Sequence, residues 1–224
     1  MVLAVKGLNY REIEISPGLG QVAIFRLSGQ RQLPVLVNGE DVISDSSAIL
    51  NYLENLRPEP KLIPDDPREK ALVHLIEDWA DTSMAKAVKI ALFKSAATNP
   101  DLRDALLVNN LPDEFRKLIN YLPCELIGDL STFINPNEDT NLLANLEKLN
   151  NSLKVNQWLV GNKMSIADIA IAAQLSLLKF PKSAGHLLTG KGCPGFSDNK
   201  NLIDLFEWRD HLEHLLFESD PVLE

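Results

Sequence analysis

The strongest constraint on the fold lies at Arg57-Pro58-Glu59-Pro60, where two prolines within four residues remove two backbone donors and stop any helix or central strand. The chain changes character across this point. Before it, short β-like runs alternate with turn signals; after it, almost every segment spaces its apolar residues as a helix does. This punctuation predicts a small α/β unit over residues 1–57, a linker over 58–66, and a larger all-α unit over 67–224. With 224 residues, 45% of them hydrophobic, the chain has ample apolar mass for a core.

Charge narrows the partners. Against 22 Lys and Arg stand 31 Asp and Glu, a net charge of −9, and a surface this acidic repels phosphate backbones. Two cysteines, Cys124 and Cys193, are too few for a disulfide framework or a four-thiolate zinc site, so reduced thiols and no metal are expected. The apolar start stops at Lys6-Gly7, short of a signal-peptide core. The longest apolar run, residues 166–178, is broken by Asp168 and falls short of the ~20 residues that span a bilayer. A cytoplasmic protein that engages neither membrane nor nucleic acid is the expectation.

Within the first unit, residues 8–15 (LNYREIEI) end in the alternation of a half-buried strand, and residues 21–27 suit a short helix with Val22, Phe25 and Arg26 on one face. Residues 34–37 and 41–44 flank Asn38-Gly39, a hairpin signal because both residues tolerate positive φ. Residues 48–56 place Ile49, Leu50, Leu53 and Leu56 at helical spacing. In the second unit, Asp66-Pro67-Arg68-Glu69 supplies a cap acceptor, a Pro at the first helical position and a Glu three residues after the cap. Leu72, Leu75, Ile76 and Trp79 then continue on one face. Further helices are predicted over 101–122, 141–155, 166–180 and 201–217.

Three signals carry chemistry. Gln32-Leu33-Pro34 leads into a strand, and a Pro is tolerated there because its missing N–H is not needed. A cis Leu33–Pro34 bond would turn the Leu33 N–H and C=O outward for an extended peptide ligand, although only about 5–6% of X–Pro bonds are cis. The second signal, Ser44-Asp45-Ser46-Ser47, sits where the hairpin enters a helix. Either Asp45 or Ser46 is simply the N-cap, or the exposed N–H groups and a hydroxyl form an anion site for a carboxylate, with Asp45 beside it for the ammonium of the same ligand. The third is Gly161-Asn162-Lys163-Met164-Ser165-Ile166-Ala167-Asp168. Ser165 and Asp168 have capping-box spacing, Met164 and Ile169 the staple positions, and the reading is structural.

In this order, a Gln-Leu-Pro hairpin, Asp-Ser at a helix start, a Pro-rich linker, a helical unit and a Gly-x-x-x-Ser-x-x-Asp box, the chain resembles the cytosolic glutathione transferases along nearly its whole length. The resemblance implies a thioredoxin-like N-terminal domain, incomplete at its start, followed by an all-helical C-terminal domain. It implies that Gln32, Leu33 and Pro34 flank the glutathione cysteine, with Leu33 pairing its backbone to it, and that Asp45 and Ser46 hold the γ-glutamyl end. Asp45 stands where the family more usually has Glu or Gln. Glutathione would be a co-substrate, with no further cofactor. The implied activity is conjugation of glutathione to small hydrophobic electrophiles or reduction of peroxides in a homodimer, with residues 72–87 along one wall of the acceptor pocket. The alternative is a non-catalytic binding or scaffold protein on the same fold.

The family opens with a strand and a loop bearing the Tyr, Ser or Cys that activates the thiol. A helix follows, ending much like residues 3–10 here. The expectation is that the first strand and activating residue are missing from this chain and that the native start lies upstream, so no catalytic residue is assigned. Two decoys remain. Gly190-Lys191-Gly192-Cys193-Pro194-Gly195 matches G-x-G-x-x-G but follows a helical stretch, not the strand that a dinucleotide site needs, and Cys193 is open to being an exposed thiol. His211 and His214, three apart on a helix, have no obvious third ligand and read as surface or interface residues.

Overall fold

The computed structural model describes residues 1–13, 15, 19–107 and 137–217. The chain forms two compact units, Val2–Leu62 and Ile63–Glu224, the latter with Met1. Of the predicted 101–122 helix, the part beyond Leu107 lies outside the described residues, as does Cys124.

The first unit begins with a single helical turn, α1 (Val2–Val5), closed by the Lys6 N–H on Val2 O at 3.0 Å. After it come α2 (Leu19–Ser28), β1 (Val35–Asn38), β2 (Asp41–Ser44) and α3 (Ser46–Leu56). The two strands pair antiparallel, Val35 with Ser44, Leu36 with Ile43, Val37 with Val42 and Asn38 with Asp41. The turn is therefore Gly39-Glu40, one residue later than Asn38-Gly39. Gly39 at φ 61 occupies the first central position, where a two-residue hairpin loop requires positive φ.

One expectation fails in this unit. Among the described residues, the sheet has two strands, and 8–13 form none of it. Alternation marks a segment that could sit on a sheet, but a strand exists only once its N–H and C=O groups meet a neighbour's. In α2 the predicted face is the outer one: Val22 and Phe25 are half exposed, and Ile24 goes inside, at 6% exposure. In α3, Leu50 and Leu53 are buried, while Leu56 is half exposed.

The second unit is helical throughout. α4 (Pro67–Trp79) starts at Asp66, whose Oδ1 accepts from the N–H groups of Arg68 and Glu69, both at 3.0 Å. It passes through a π-turn, Ala80–Met84, into α5 (Ala85–Thr98). α6 (Pro100–Leu107), α7 (Asn137–Leu153), α8 (Ile166–Leu178) and α9 (Ile203–Phe217) complete the unit, with short 3₁₀ turns at Lys182–Ala184 and Lys200–Leu202. α8 is apolar on nearly every side and sits at the centre, as an all-round hydrophobic helix must. Its Ile171, Leu175 and Leu178 pack with Met84 and Val88 of the α4–α5 rod, Leu142 and Leu146 of α7, and Leu205 and Phe206 of α9.

The predicted stripe of α4 turns inward only in part: Ile76 and Trp79 pack, partly buried, against the core. Leu72 and Leu75 are exposed at 50% and 65%, while Val73 and Glu77 are buried. Both stripes have helical period, and only packing against α8 chooses between them. No helix among the described residues is long and apolar enough to cross a membrane.

Candidate functional site

The hairpin register builds the candidate site. Because Val35 faces Ser44, the Leu33-Pro34 step entering β1 and the Asp45-Ser46 step leaving β2 lie at the same end of the ladder. Gln32, Leu33, Pro34, Asp45 and Ser46 are all exposed there. The Leu33–Pro34 bond is cis, as is Glu59–Pro60.

Asp45, not Ser46, is the N-cap of α3. Its backbone adopts φ 86, a left-handed value that Asp accepts more readily than most residues. From that position Oδ1 accepts from the Ser47 N–H at 3.0 Å and the Ala48 N–H at 3.1 Å. The first-turn donors that an anion site would use are thus partly committed to Asp45 itself. What α3 presents at this end is the Asp45 carboxylate beside Ser46, its first helical residue.

Tyr52, which spacing did not single out, braces the other end of the hairpin. Its Oη accepts from Asn38 Nδ2 at 2.8 Å and donates to Asp41 Oδ2 at 2.9 Å, tying the last strand pair to α3. No local signal marks it, because its partners lie 14 and 11 residues away. Arg31 lies with its guanidinium 5.7 Å from the centre of the Phe25 ring, and Arg26 is exposed in the last turn of α2.

In the second unit, the box before α8 is a buried polar joint. Asp168 has no solvent exposure, and Ser165 is 1% exposed. Asp168 Oδ2 accepts from the Ser165 N–H and the Ser165 hydroxyl, both at 2.8 Å, and Oδ1 accepts from the Leu159 N–H at 2.8 Å. Burial raises the Asp168 pKa above the ordinary carboxylate value, and the donors from Leu159 and Ser165 oppose that rise. A cavity of about 230 Å³ opens beside the π-turn, lined by Trp79, Ser83, Met84 and Lys86 on one side and by Asn141 and Asn145 of α7 on the other.

The Gly190–Gly195 segment is a structural clasp. Cys193 N donates to Leu178 O at 2.8 Å and Phe180 N to Lys191 O at 2.8 Å, so the loop pairs with the end of α8. Cys193 is fully buried, which overturns its reading as an exposed thiol. His211 and His214 are exposed, and among the described residues no group of three or more His, Cys, Asp or Glu could hold a metal ion.

A two-stranded hairpin flanked by helices, capped by Asp45 and followed by a helical bundle, defines a thioredoxin-like domain joined to an all-helical one. Sequence-family models agree: residues 1–61 match the glutathione S-transferase N-terminal domain, and residues 135–187 match the C-terminal domain. The chain belongs to the glutathione S-transferase superfamily. It is 25% identical over 181 residues to maleylacetoacetate isomerase of Rattus norvegicus, a match covering 79% of this chain and 69% of the rat protein. It is 32% identical over 106 residues to a zeta-class glutathione S-transferase of Euphorbia esula, covering 45% of this chain and 47% of the plant protein. The chain thus spans about half the length of this plant relative. A solved glutathione S-transferase from Rhodospirillum rubrum F11 superposes with a TM-score of 0.63 at 21% identity, covering 94% of this chain and 79% of that one.

Proposed function

We propose that the first unit binds glutathione at the open end of the hairpin and presents its thiol to a small electrophile or a peroxide. The observation that carries this reading is the Val35–Ser44 register, which sets Leu33-Pro34 and Asp45-Ser46 side by side. In this reading Asp45 faces the γ-glutamyl ammonium, Ser46 the γ-glutamyl carboxylate, and Gln32, Leu33 and Pro34 flank the cysteine, with the Leu33 backbone pairing to it. The thiol would react as thiolate, which hydrogen-bond donors favour over the neutral form. A homodimer and a cytoplasmic location belong to the same reading.

Titration calorimetry with glutathione and with cysteinylglycine, which lacks the γ-glutamyl group, tests it. Glutathione is expected to bind at least tenfold more tightly; equal affinities would mean that Asp45 and Ser46 recognise nothing of that end. A second reading, isomerisation of maleylacetoacetate with bound glutathione, is favoured by the rat relative of that name. Assaying conjugation, peroxide reduction and that isomerisation side by side separates the two. Glutathione binding without any turnover would indicate the non-catalytic alternative.

A further inference from the structure

Beyond the proposed ligand site, the first unit contains a buried cation that local sequence patterns do not explain. Lys6, just past α1, is 1% exposed. Its ammonium meets Glu54 Oε1 at 2.5 Å, Pro60 O at 2.8 Å and Pro58 O at 3.4 Å. An ammonium has three N–H donors, so all three have an acceptor. Every acceptor belongs to the stretch from the end of α3 through the proline-rich segment. Glu54 Oε1 also accepts from the Leu62 N–H at 3.2 Å, and Leu62 itself is buried at 1% exposure. From the opposite direction, Arg57 Nη1 donates to Gly7 O at 2.7 Å.

Residues 58–61 cannot hold themselves in place. Pro58 and Pro60 have no N–H, the segment lies in neither helix nor sheet, and its side chains are exposed. Its inward carbonyls need a donor from elsewhere, since an unpaired buried carbonyl is costly. Lys6 is that donor, and Glu54 neutralises it, which makes a buried ammonium tolerable.

We infer that Lys6 is the lock on a strap: its ammonium, held by Glu54, fastens residues 58–62 to the first unit, so that the chain leaves this unit only at Ile63. The segment that composition marks as a linker is then mostly part of the unit it follows. Removing the ammonium is expected to release the strap while α3 stays folded.

The strap carries its own reporter, since trypsin can cut after Lys61, whereas Pro58 protects the bond after Arg57. Lys6→Met keeps the length of the side chain, removes the charge and deletes the tryptic site at position 6 itself. In the full chain, Lys6→Met is expected to raise the rate of tryptic cutting at Lys61 at least tenfold and to speed exchange of the Leu62 amide by a similar factor. Amides inside α3, such as that of Leu53, should exchange within about twofold of the wild-type rate. Arg57→Met, which leaves Lys6 and Glu54 in place, should change cutting at Lys61 by less than about threefold. Two outcomes overturn the inference. One is cutting at Lys61 within twofold of wild type in Lys6→Met. The other is α3 and Leu62 amides accelerating together, which would make Lys6 a support of the whole unit and not of the strap.

Discussion

Asp45 Oδ1 sits 3.0 Å from the Ser47 amide nitrogen, so the carboxylate nearest the proposed ligand site is also the cap of the helix that begins there. One side chain therefore has two tasks that substitution can separate. Asp45→Asn keeps an oxygen able to cap α3 and a residue type that accepts positive φ, but it removes the charge. Glutathione affinity should fall by about 1.5–3 kcal/mol, as for a hydrogen bond to a charged group. The unfolding free energy from urea titration should change by no more than about a few tenths of a kcal/mol. Asp45→Ala should lose both affinity and about 1 kcal/mol of stability. Unchanged affinity in Asp45→Asn would remove the carboxylate from the binding site.

Ser46 tests the same site with less effect on the cap. Ser46→Ala is expected to weaken glutathione binding by about 1–3 kcal/mol. Because Asp45 and not Ser46 caps α3, the stability cost should be much smaller than that of Asp45→Ala. Calorimetry paired with urea unfolding would show whether the two losses divide in this way.

Asp168→Ala deletes an acceptor serving three donors, the half-buried Leu159 N–H and the buried Ser165 N–H and O–H. A surface cap is worth about 1 kcal/mol; here about 2–4 kcal/mol is expected, since buried donors left unpaired cost more. A urea midpoint unchanged at equal m-value would refute the joint.

The raised pKa of Asp168 also predicts a pH dependence. A proton on Oδ2 can be donated to the Ser165 oxygen, whose own hydrogen then turns elsewhere, so the folded state can hold the protonated form. The native protein then binds a proton that the unfolded chain releases near the ordinary carboxylate pKa of about 3.9. Stability from this group is complete below the unfolded value and is lost as pH rises through the folded one. The stability difference between wild type and Asp168→Asn should therefore shrink as pH is raised from about 3.5. A difference that grows over that range would reverse the sign and the assignment.

Gly192 has little room for a side chain. A Cβ there would lie 2.4 Å from Leu178 O and 2.7 Å from Ser197 Cβ, against backbone pinned by the Cys193–Leu178 hydrogen bond. Gly192→Ala should cost at least about 2 kcal/mol by overpacking. Gly190→Ala, whose Cβ would meet nothing within 4 Å but whose φ is 76, should cost only about 1 kcal/mol of backbone strain. Thermal unfolding of the two variants ranks them directly.

The elements legible in the sequence are those whose signals act over a few residues. Asp66-Pro67 starts α4, Asp45 caps α3, Ser165 and Asp168 stand three apart at the start of α8, and Gly39 turns the hairpin. The candidate site was legible for the same reason: Leu33-Pro34 and Asp45-Ser46 are local steps on either side of one short hairpin. Tyr52, which braces the opposite end of that hairpin, was not legible, because its partners lie in other elements.

What the sequence alone determined, then, is where elements begin and turn, because caps, prolines and glycines act through bonds to atoms within about four residues. Tertiary structure decided what goes inside. It chose Val73 over Leu72 and Leu75 in α4, and Ile24 over Val22 and Phe25 in α2. In α9 it set Arg209 among the buried residues with Leu205, Leu212 and Leu216, and joined it to Lys179 O at 2.6 Å, while neighbouring His211 stayed outside. It denied residues 8–13 a strand and drew Lys6 inward to Glu54. The apolar choices rest on which other element packs against the helix, α8 for α4 and β2 for α2. The buried charges depend on partners 30 or more residues away, Lys179 for Arg209 and Pro60 for Lys6, and a charge goes inside only where such a partner satisfies it.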